Sequence, residues 1–264
     1  MDSTQVCETT VGIIGSKGRM GAWLLRHLAQ KGINVKGKDK CATDELADFA
    51  GSCDVIILAV PVTSFDEVTR VIGTKLTQNS LLIDIASLKE GPVEQMLKNT
   101  GCEVIGAHPM FGPSAQSFKN QICYICPART DSWLPRIEGF LTKLGARICI
   151  MSPQDHDRLM ATVQTLRHII MTSMGLALKQ ANFSIHTDSD ITGEWFNNLA
   201  RMLIHQFDQP SELYADLALN NKHAIDILQQ FRSLNNEVIE AISTGNKPAL
   251  VGLMEMVRAY TRSG

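Results

Sequence analysis

Short β-branched runs alternate with amphipathic helical stretches over roughly the first 150 residues, and this alternation limits the possible folds more than any other feature. Candidate strands are Thr10–Ile14, Asn34–Lys38, Asp54–Val60, Ser80–Ile85, Glu103–Ala107, Ile122–Cys126 and Ala146–Ile150. Helix-length segments separate most of them: Met20–Lys31, Ser64–Lys75, Glu90–Lys98 and Ser132–Leu144. The run Val55-Ile-Ile-Leu-Ala-Val60 is apolar at every position, so both of its faces must be covered. A half-exposed antiparallel strand would alternate instead. The pattern predicts a doubly wound, mainly parallel α/β sheet.

After Met151-Ser152-Pro153 the strand signal nearly stops. Ser152 suits an N-cap, Pro153 the first helical position and Asp155 the first turn. Helical periodicity then covers Gln154–Ala181, Ser189–Gln206, Ser211–Leu219, Lys222–Thr244 and Lys247–Thr261. Breaks fall at Asn182–Thr187, Asp208-Gln-Pro210, Asn220-Asn221 and Gly245-Asn246. Two domains are expected, 1–152 and 153–264, the second all-helical.

Lys and Arg number 25 against 27 Asp and Glu, a net charge of −2, so there is no basic footprint for nucleic acid or anionic membrane. No apolar run reaches the ~18–20 residues that span a bilayer. Met1-Asp2-Ser3-Thr4-Gln5 lacks the basic start and apolar centre of a signal peptide. Cys7, Cys41, Cys53, Cys102, Cys123, Cys126 and Cys149 are odd in number and scattered through apolar segments, as reduced thiols of a cytoplasmic protein would be. Cys123 and Cys126 lie three apart on a strand and therefore face opposite ways, which argues against a shared metal or redox role. No metal site is expected.

The first candidate strand runs through Val11-Gly-Ile-Ile-Gly15 into Ser16-Lys17-Gly18-Arg19-Met20-Gly21, where a helix begins. Set on the GxGxxG template, Ser16, Gly18 and Gly21 occupy its key positions, with Gly15 just before. Gly18 allows the backbone to approach a pyrophosphate, Gly21 allows helix and strand to pack closely, and the helix N-terminus faces the anion. Asp39 ends the second strand at the offset where an acid binds the ribose 2′-hydroxyl of NAD. Lys38 and Lys40 beside it would tolerate a 2′-phosphate, yet NAD is expected over NADP. The Rossmann-type site is thus Gly15, Ser16, Gly18, Arg19, Met20, Gly21 and Asp39, with Val60 at the exit of the third strand. Asp54 suits either a crevice wall or a solvated strand start.

Two further strand exits carry chemistry. One reads Asp84-Ile-Ala-Ser87-Leu-Lys89, the next Gly106-Ala-His108-Pro-Met-Phe-Gly-Pro113. A histidine at a strand's carboxyl end stands where a nicotinamide would lie. An imidazole of ordinary pKa ~6.5 can take the hydroxyl proton released when hydride leaves an alcohol carbon. Ser87 is placed to hydrogen-bond it and fix its tautomer. The competing reading makes His108 a turn residue capping carbonyls.

Together with His156-Asp-Arg-Leu-Met160, Gln164-Thr-Leu-Arg-His168 and Glu212-Leu-Tyr-Ala-Asp216, these segments occur in the order seen in prephenate dehydrogenases. The chain resembles a single-function member without a fused chorismate mutase. The resemblance implies an NAD domain followed by a helical domain that makes a homodimer, with the active site in the cleft between them. It also implies oxidative decarboxylation of a small cyclohexadienyl acid, prephenate or arogenate, in tyrosine biosynthesis. By motif position His108 is the catalytic acceptor, Ser87 its partner, and His168 lines the substrate pocket. On a 3.6-residue helix Gln164 and His168 share a face. His156 and Asp157 suit either the site or first-turn capping.

One departure concerns the substrate grip. The family places an arginine about fifteen residues before the Glu-Leu-Tyr-Ala-Asp segment, where this chain has Asn197. Asparagine cannot replace a bidentate guanidinium. Arg201, one turn on, is the nearest substitute, and Arg167 a weaker one. Three outcomes are open: Arg201 takes the role, the substrate is a relative such as 4-amino-4-deoxyprephenate, or the chain is a non-catalytic dinucleotide-binding dimer.

Overall fold

A computed structural model describes residues 9–186, 191–208 and 210–263. The N-terminal pentapeptide, Cys7, Thr187, Ser189 and Gln209 lie outside them. The chain divides into two compact units, Met1–Leu159 and Met160–Gly264.

In the first unit, seven strands form one sheet: β1 (Thr10–Ile14), β2 (Asn34–Lys38), β3 (Val55–Leu58), β4 (Leu81–Asp84), β5 (Glu103–Pro109), β6 (Ile122–Arg129) and β7 (Arg147–Ile150). Their order is β2-β1-β3-β4-β5-β6-β7. Strands β1 to β5 are parallel, β6 runs antiparallel to β5, and β7 is parallel to β6. The order reverses beside β1, so the crevice for a ligand opens at the carboxyl ends of β1 and β3.

Residue alternation along the strands builds two cores. Val55 and Ile57 join Ile13, Leu81, Ile83 and Ile105 against α1 (Arg19–Gln30) and α5 (Trp133–Lys143). Ile56 and Leu58 join Ile14, Leu82 and Val104 on the opposite face, with α2 (Thr43–Gly51), α3 (Phe65–Gly73) and α4 (Glu90–Asn99). Each fully buried Leu or Ile contributes about 1.5–3 kcal/mol, so both faces of the sheet stabilise the unit. Cys123 packs in the first core beside Ile125. Cys126, three residues on, is free and buried elsewhere.

Asp54 stands at the amino end of β3, where its Oδ2 accepts the Thr10 N–H at 2.8 Å. It pins the start of the sheet and is no wall of the crevice at the other end. Helix α2, which lacks a strong sequence signature, fills the connection from β2 to β3. At the close of the unit, α6 (Pro153–Met160) is capped by Ser152, whose Oγ accepts the Asp155 N–H at 3.1 Å and donates to Asp155 Oδ2 at 2.7 Å.

The second unit is helical: α7 (Arg167–Gln180), α8 (Glu194–Gln206), α9 (Ser211–Asn220), α10 (Ala224–Ser243) and α11 (Lys247–Arg262). The single helix expected over Gln154–Ala181 is interrupted by a π-helical stretch at Ala161–Leu166. A π turn holds an extra residue, so the 3.6-residue face arithmetic for His156, Gln164 and His168 does not carry through it.

Candidate active site

The dinucleotide loop is shaped by what a side chain would collide with. Gly15 has φ +86°, and a Cβ there would lie 2.4 Å from the Ala59 carbonyl oxygen. A Cβ on Gly21 would lie 2.2 Å from the Gly15 oxygen. Positive φ is glycine's ground, so Gly15, and not Ser16, makes the tight turn. Gly15 and Ser16 donate their N–H groups to the Lys38 carbonyl at 2.9 and 3.2 Å, seating the turn on β2. Gly18 precedes the first residue of α1 as its N-cap. Met20 packs partly into the core beside that helix, and Val60 flanks Gly15 at the exit of β3.

Asp39 Oδ2 accepts the Lys17 N–H at 2.9 Å and Oδ1 the Lys40 N–H at 3.0 Å. The Lys17 bond, then the Lys40 bond, hold its carboxyl below the usual range. A carboxylate has about four lone-pair sites, so two hydroxyls of a ribose still find acceptors. Backbone close to the loop and an ionised acid at its edge fit a dinucleotide. Lys38 turns away, its Nζ 2.9 Å from Glu45.

Strands β4 and β5 bring the polar cluster together. Asp84 closes β4 opposite Gly106, and His108 sits near the end of β5 opposite Tyr124 of β6. His108 is buried, and its Nδ1 lies 2.9 Å from Nε2 of His156 on α6. His156 Nδ1 lies 2.7 Å from Asp157 Oδ1. Asp157 also accepts the backbone N–H of Lys89 at 2.7 Å and of Glu90 at 2.9 Å. It thereby caps α4, whose own N-cap residue, Lys89, provides no side-chain cap. Tyr124 completes an aromatic corner, edge-on to His156 with ring centroids 5.4 Å apart.

These bonds settle the tautomers. A carboxylate only accepts, so His156 carries its proton on Nδ1 and accepts at Nε2. His108 Nδ1 must then donate, which leaves its Nε2 as an acceptor. Among the described residues that Nε2 has no hydrogen-bond partner. Burial, the neighbouring His156 and then Lys89 push His108 well below the ordinary 6.5. Burial also lowers His156, against the pull of Asp157. Both rings are neutral at pH 7.

Ser87 does not hold His108 in this structure; Nδ1 belongs to His156. Sequence reasoning weighed His156 and Asp157 as first-turn caps of their own helix, but Ser152 and Asp155 do that work. An unexplained His-Asp pair one turn beyond a complete cap was the available signal.

In the second unit, His168 is buried beneath Tyr214, ring centroids 4.2 Å apart. Its carbonyl accepts from Gln206 Nε2 at 3.3 Å. Arg167 Nη2 donates to its Nε2 at 2.7 Å, so the ring proton sits on Nδ1. That Nδ1 is buried with no partner among the described residues. Burial first, then Arg167, lower His168 to about 4. A neutral donor is thus held ready. Asn197 is engaged locally: its Oδ1 accepts from Thr192 Oγ1 at 2.6 Å. Arg201 is exposed and donates to Asn198 Oδ1 at 2.5 Å. No described hydrogen bond joins either to His168, and Gln164 sits half-buried in the π-helical stretch.

Sheet order, glycine turn and acidic edge define a Rossmann-type dinucleotide-binding domain, followed here by a helical domain. Residues 26–150 match the family model for the prephenate dehydrogenase nucleotide-binding domain, and residues 152–256 that for the prephenate dehydrogenase dimerization domain. The chain belongs to the prephenate dehydrogenase family.

It is 29% identical over 265 residues to the probable arogenate/prephenate dehydrogenase of Methanocaldococcus jannaschii, an alignment that covers 93% of this chain and 59% of that protein. It is 27% identical to the T-protein of Enterobacter agglomerans, covering 95% of this chain and 67% of that one. The crystal structure of Aquifex aeolicus prephenate dehydrogenase with hydroxyphenyl propionate and NAD+ shares its fold, at TM-score 0.76, 20% identity, 96% of this chain and 97% of that chain. The chain therefore spans only part of the length of its first curated relatives.

Proposed function

We propose that this chain is an NAD-dependent dehydrogenase that oxidatively decarboxylates prephenate or arogenate in tyrosine biosynthesis. The observation that carries the reading is the chain Asp157–His156–His108, which leaves a neutral imidazole with its lone pair on Nε2 at the carboxyl end of β5. Gly15, Ser16, Gly18, Arg19, Met20, Gly21 and Val60 would hold the dinucleotide, with Asp39 on its ribose. NAD is favoured over NADP because Asp39 is ionised and Lys38 is drawn to Glu45.

The bound nicotinamide supplies a hydride acceptor for the substrate's ring carbon. His108 Nε2 accepts the proton of the hydroxyl on that carbon. As it does so, positive charge grows on His108, its Nδ1–H bond to His156 strengthens, and the Asp157 charge offsets the gain through His156. A carboxylate lost as carbon dioxide then leaves an aromatic ring. His168 Nδ1–H, Gln164, Asn197 and Arg201 are assigned to the substrate's polar groups, with Arg201 replacing the family's arginine. The helical domain forms a homodimer in a cytoplasmic enzyme, with the boundary between the two domains falling near residue 152 of the chain.

Incubation with NAD and prephenate, and separately arogenate, tests the reading through NADH fluorescence and released carbon dioxide. Bound NAD without turnover on either acid overturns it in favour of a non-catalytic dinucleotide binder. Turnover only on the 4-amino analogue would move the substrate assignment.

A further inference from the structure

Lys89 and Asp84 are both fully buried, and their side chains form an ion pair within the first unit. Lys89 Nζ also donates to the Ala107 carbonyl at 2.7 Å, one residue before His108. Its backbone N–H meanwhile donates to Asp157 at 2.7 Å. One residue thus touches both ends of the polar chain: the strand exit that carries His108 and the carboxylate that orients His156. The path of its side chain crosses Gly106, where a Cβ would lie 3.0 Å from Lys89 Cδ and 2.9 Å from Val93 Cγ2. The missing side chain at 106 is what lets the lysine lie across β5.

We propose that Lys89, paired with Asp84, is a positioning residue that clamps the β5 exit and holds the His108–His156 pair in its single hydrogen-bonded arrangement. This rests on reading His108 as the proton acceptor. A buried ion pair is a costly way to stabilise a fold, since apolar replacements of similar size often do as well. Its ammonium donates to the Ala107 carbonyl at the exit of β5, a hydrogen bond that apolar packing cannot supply. The ammonium's charge also acts on both imidazoles. The charged or titratable groups around them are Asp84 from β4, Tyr124 and Cys126 from β6, and His156 and Asp157 from α6. With Lys89 in place, protonating either ring brings a second cation into the same buried space. Lys89 lowers His108 after burial and the neighbouring His156, and it lowers His156 after burial.

The test uses two variants of the full chain. Asp84→Asn with Lys89→Met removes both charges at once, which avoids stranding one buried ion. Gly106→Ala keeps the charges and displaces the lysine side chain. Histidine 15N NMR reads tautomer and titration directly, with His108→Asn and His156→Asn assigning the signals.

In the wild type, His108 should show a protonated Nδ1 and bare Nε2 through neutral pH. In the double variant, the His108 titration should move up toward 6.5 and tautomers should mix. Gly106→Ala should mix the tautomers with a smaller titration shift. Where wild-type turnover is present, kcat should fall about 10²-fold, the scale of an ångström of misplacement, and NAD Kd should hold. Imidazole spectra and titrations matching wild type in both folded variants overturn the proposal. An inactive wild type with the expected spectra overturns the dehydrogenase reading and leaves the positioning role standing.

Discussion

Replacing Asp157 by asparagine separates the two jobs of one carboxylate. Oδ1 accepts from Lys89 N–H and His156 Nδ1, and Oδ2 accepts from Glu90 N–H. An amide has one oxygen. Placed at Oδ1, that oxygen keeps His156 in register but turns an NH2 against the Glu90 N–H. Placed at Oδ2, it keeps Glu90 but points the NH2 at His156 Nδ1. The latter forces His156 to donate from Nε2, so His108 Nδ1 must accept and His108 Nε2 becomes a donor. The lone pair that receives the substrate proton is gone. In a serine-protease triad the same carboxylate-to-amide change leaves the geometry intact and lowers kcat roughly 10⁴-fold by the wrong tautomer. Here the signal passes through one more imidazole, so a loss of about 10²–10⁴ is expected.

Either placement also loses one hydrogen bond to a charged acceptor, worth about 1.5–3 kcal/mol. That corresponds to a fall in Tm of roughly 3–12 °C for a domain of this size. The assay is steady-state NADH formation from prephenate, with NAD Kd by fluorescence titration and Tm by calorimetry. A folded variant whose kcat stays within about threefold of wild type would refute the tautomer argument, because the base would then not depend on the carboxylate.

Three other expectations follow from single residues. His108→Asn should lower kcat by about 10²–10⁴ with NAD Kd unchanged; since His108 titrates well below 6.5 and must be unprotonated to act, wild-type kcat/KM should be level from pH 6.5 upward and fall only as pH drops below it. Gly21→Ala places a Cβ 2.2 Å from the Gly15 oxygen, so NAD affinity in titration calorimetry should fall at least about tenfold as the loop and α1 move apart. Glu103 accepts from the N–H groups of Asp131, Ser132 and Trp133 at 2.7, 3.0 and 3.1 Å; burial alone would raise its carboxyl, but these bonds hold it below 4.5. Glu103→Gln should cost about 2 kcal/mol at neutral pH, and because the folded value is the lower one, the gap to wild type in denaturant melts should close as pH falls below 4.5.

The parallel sheet was legible because most of its strands are short and apolar, and all are bounded by turns or helices; the polar edge strand β2 was placed by the alternation around it. Thr10–Ile14 and Asn34–Lys38 appear at the expected residues, and β3 and β4 are only trimmed at their ends. Those patterns are local, and a buried strand has few other ways to read. The glycine turn was legible too, but not that Gly15, just before the template's first position, would adopt the positive φ, since that depends on the Ala59 carbonyl of another strand. The π-helical stretch was not visible. Ala161–Leu166 has ordinary α-helical residue types, and an i→i+5 bond leaves no periodic mark within six residues.

The partners of His108 were hidden for a different reason. Ser87 is close in sequence order and chemically suited, whereas His156 is 48 residues from His108 and reaches it only because α6 packs its first turns on the first unit. What ties that helix down is Asp157, which supplies α4 with the cap that its own Lys89 cannot give. Lysine is a poor N-cap, with no acceptor to offer the orphan N–H groups. Its presence at residue 89 makes sense once its side chain is followed inward to Asp84 and Ala107. A helix start that needs an outside carboxylate, and a carboxylate that fixes an imidazole's proton, are then one arrangement. Variants at 84 and 89 that leave the Asp157 carboxylate intact but shift α4 away from it should therefore weaken the cap and mix the His156 tautomers together, whereas Asp157→Asn should part the two effects.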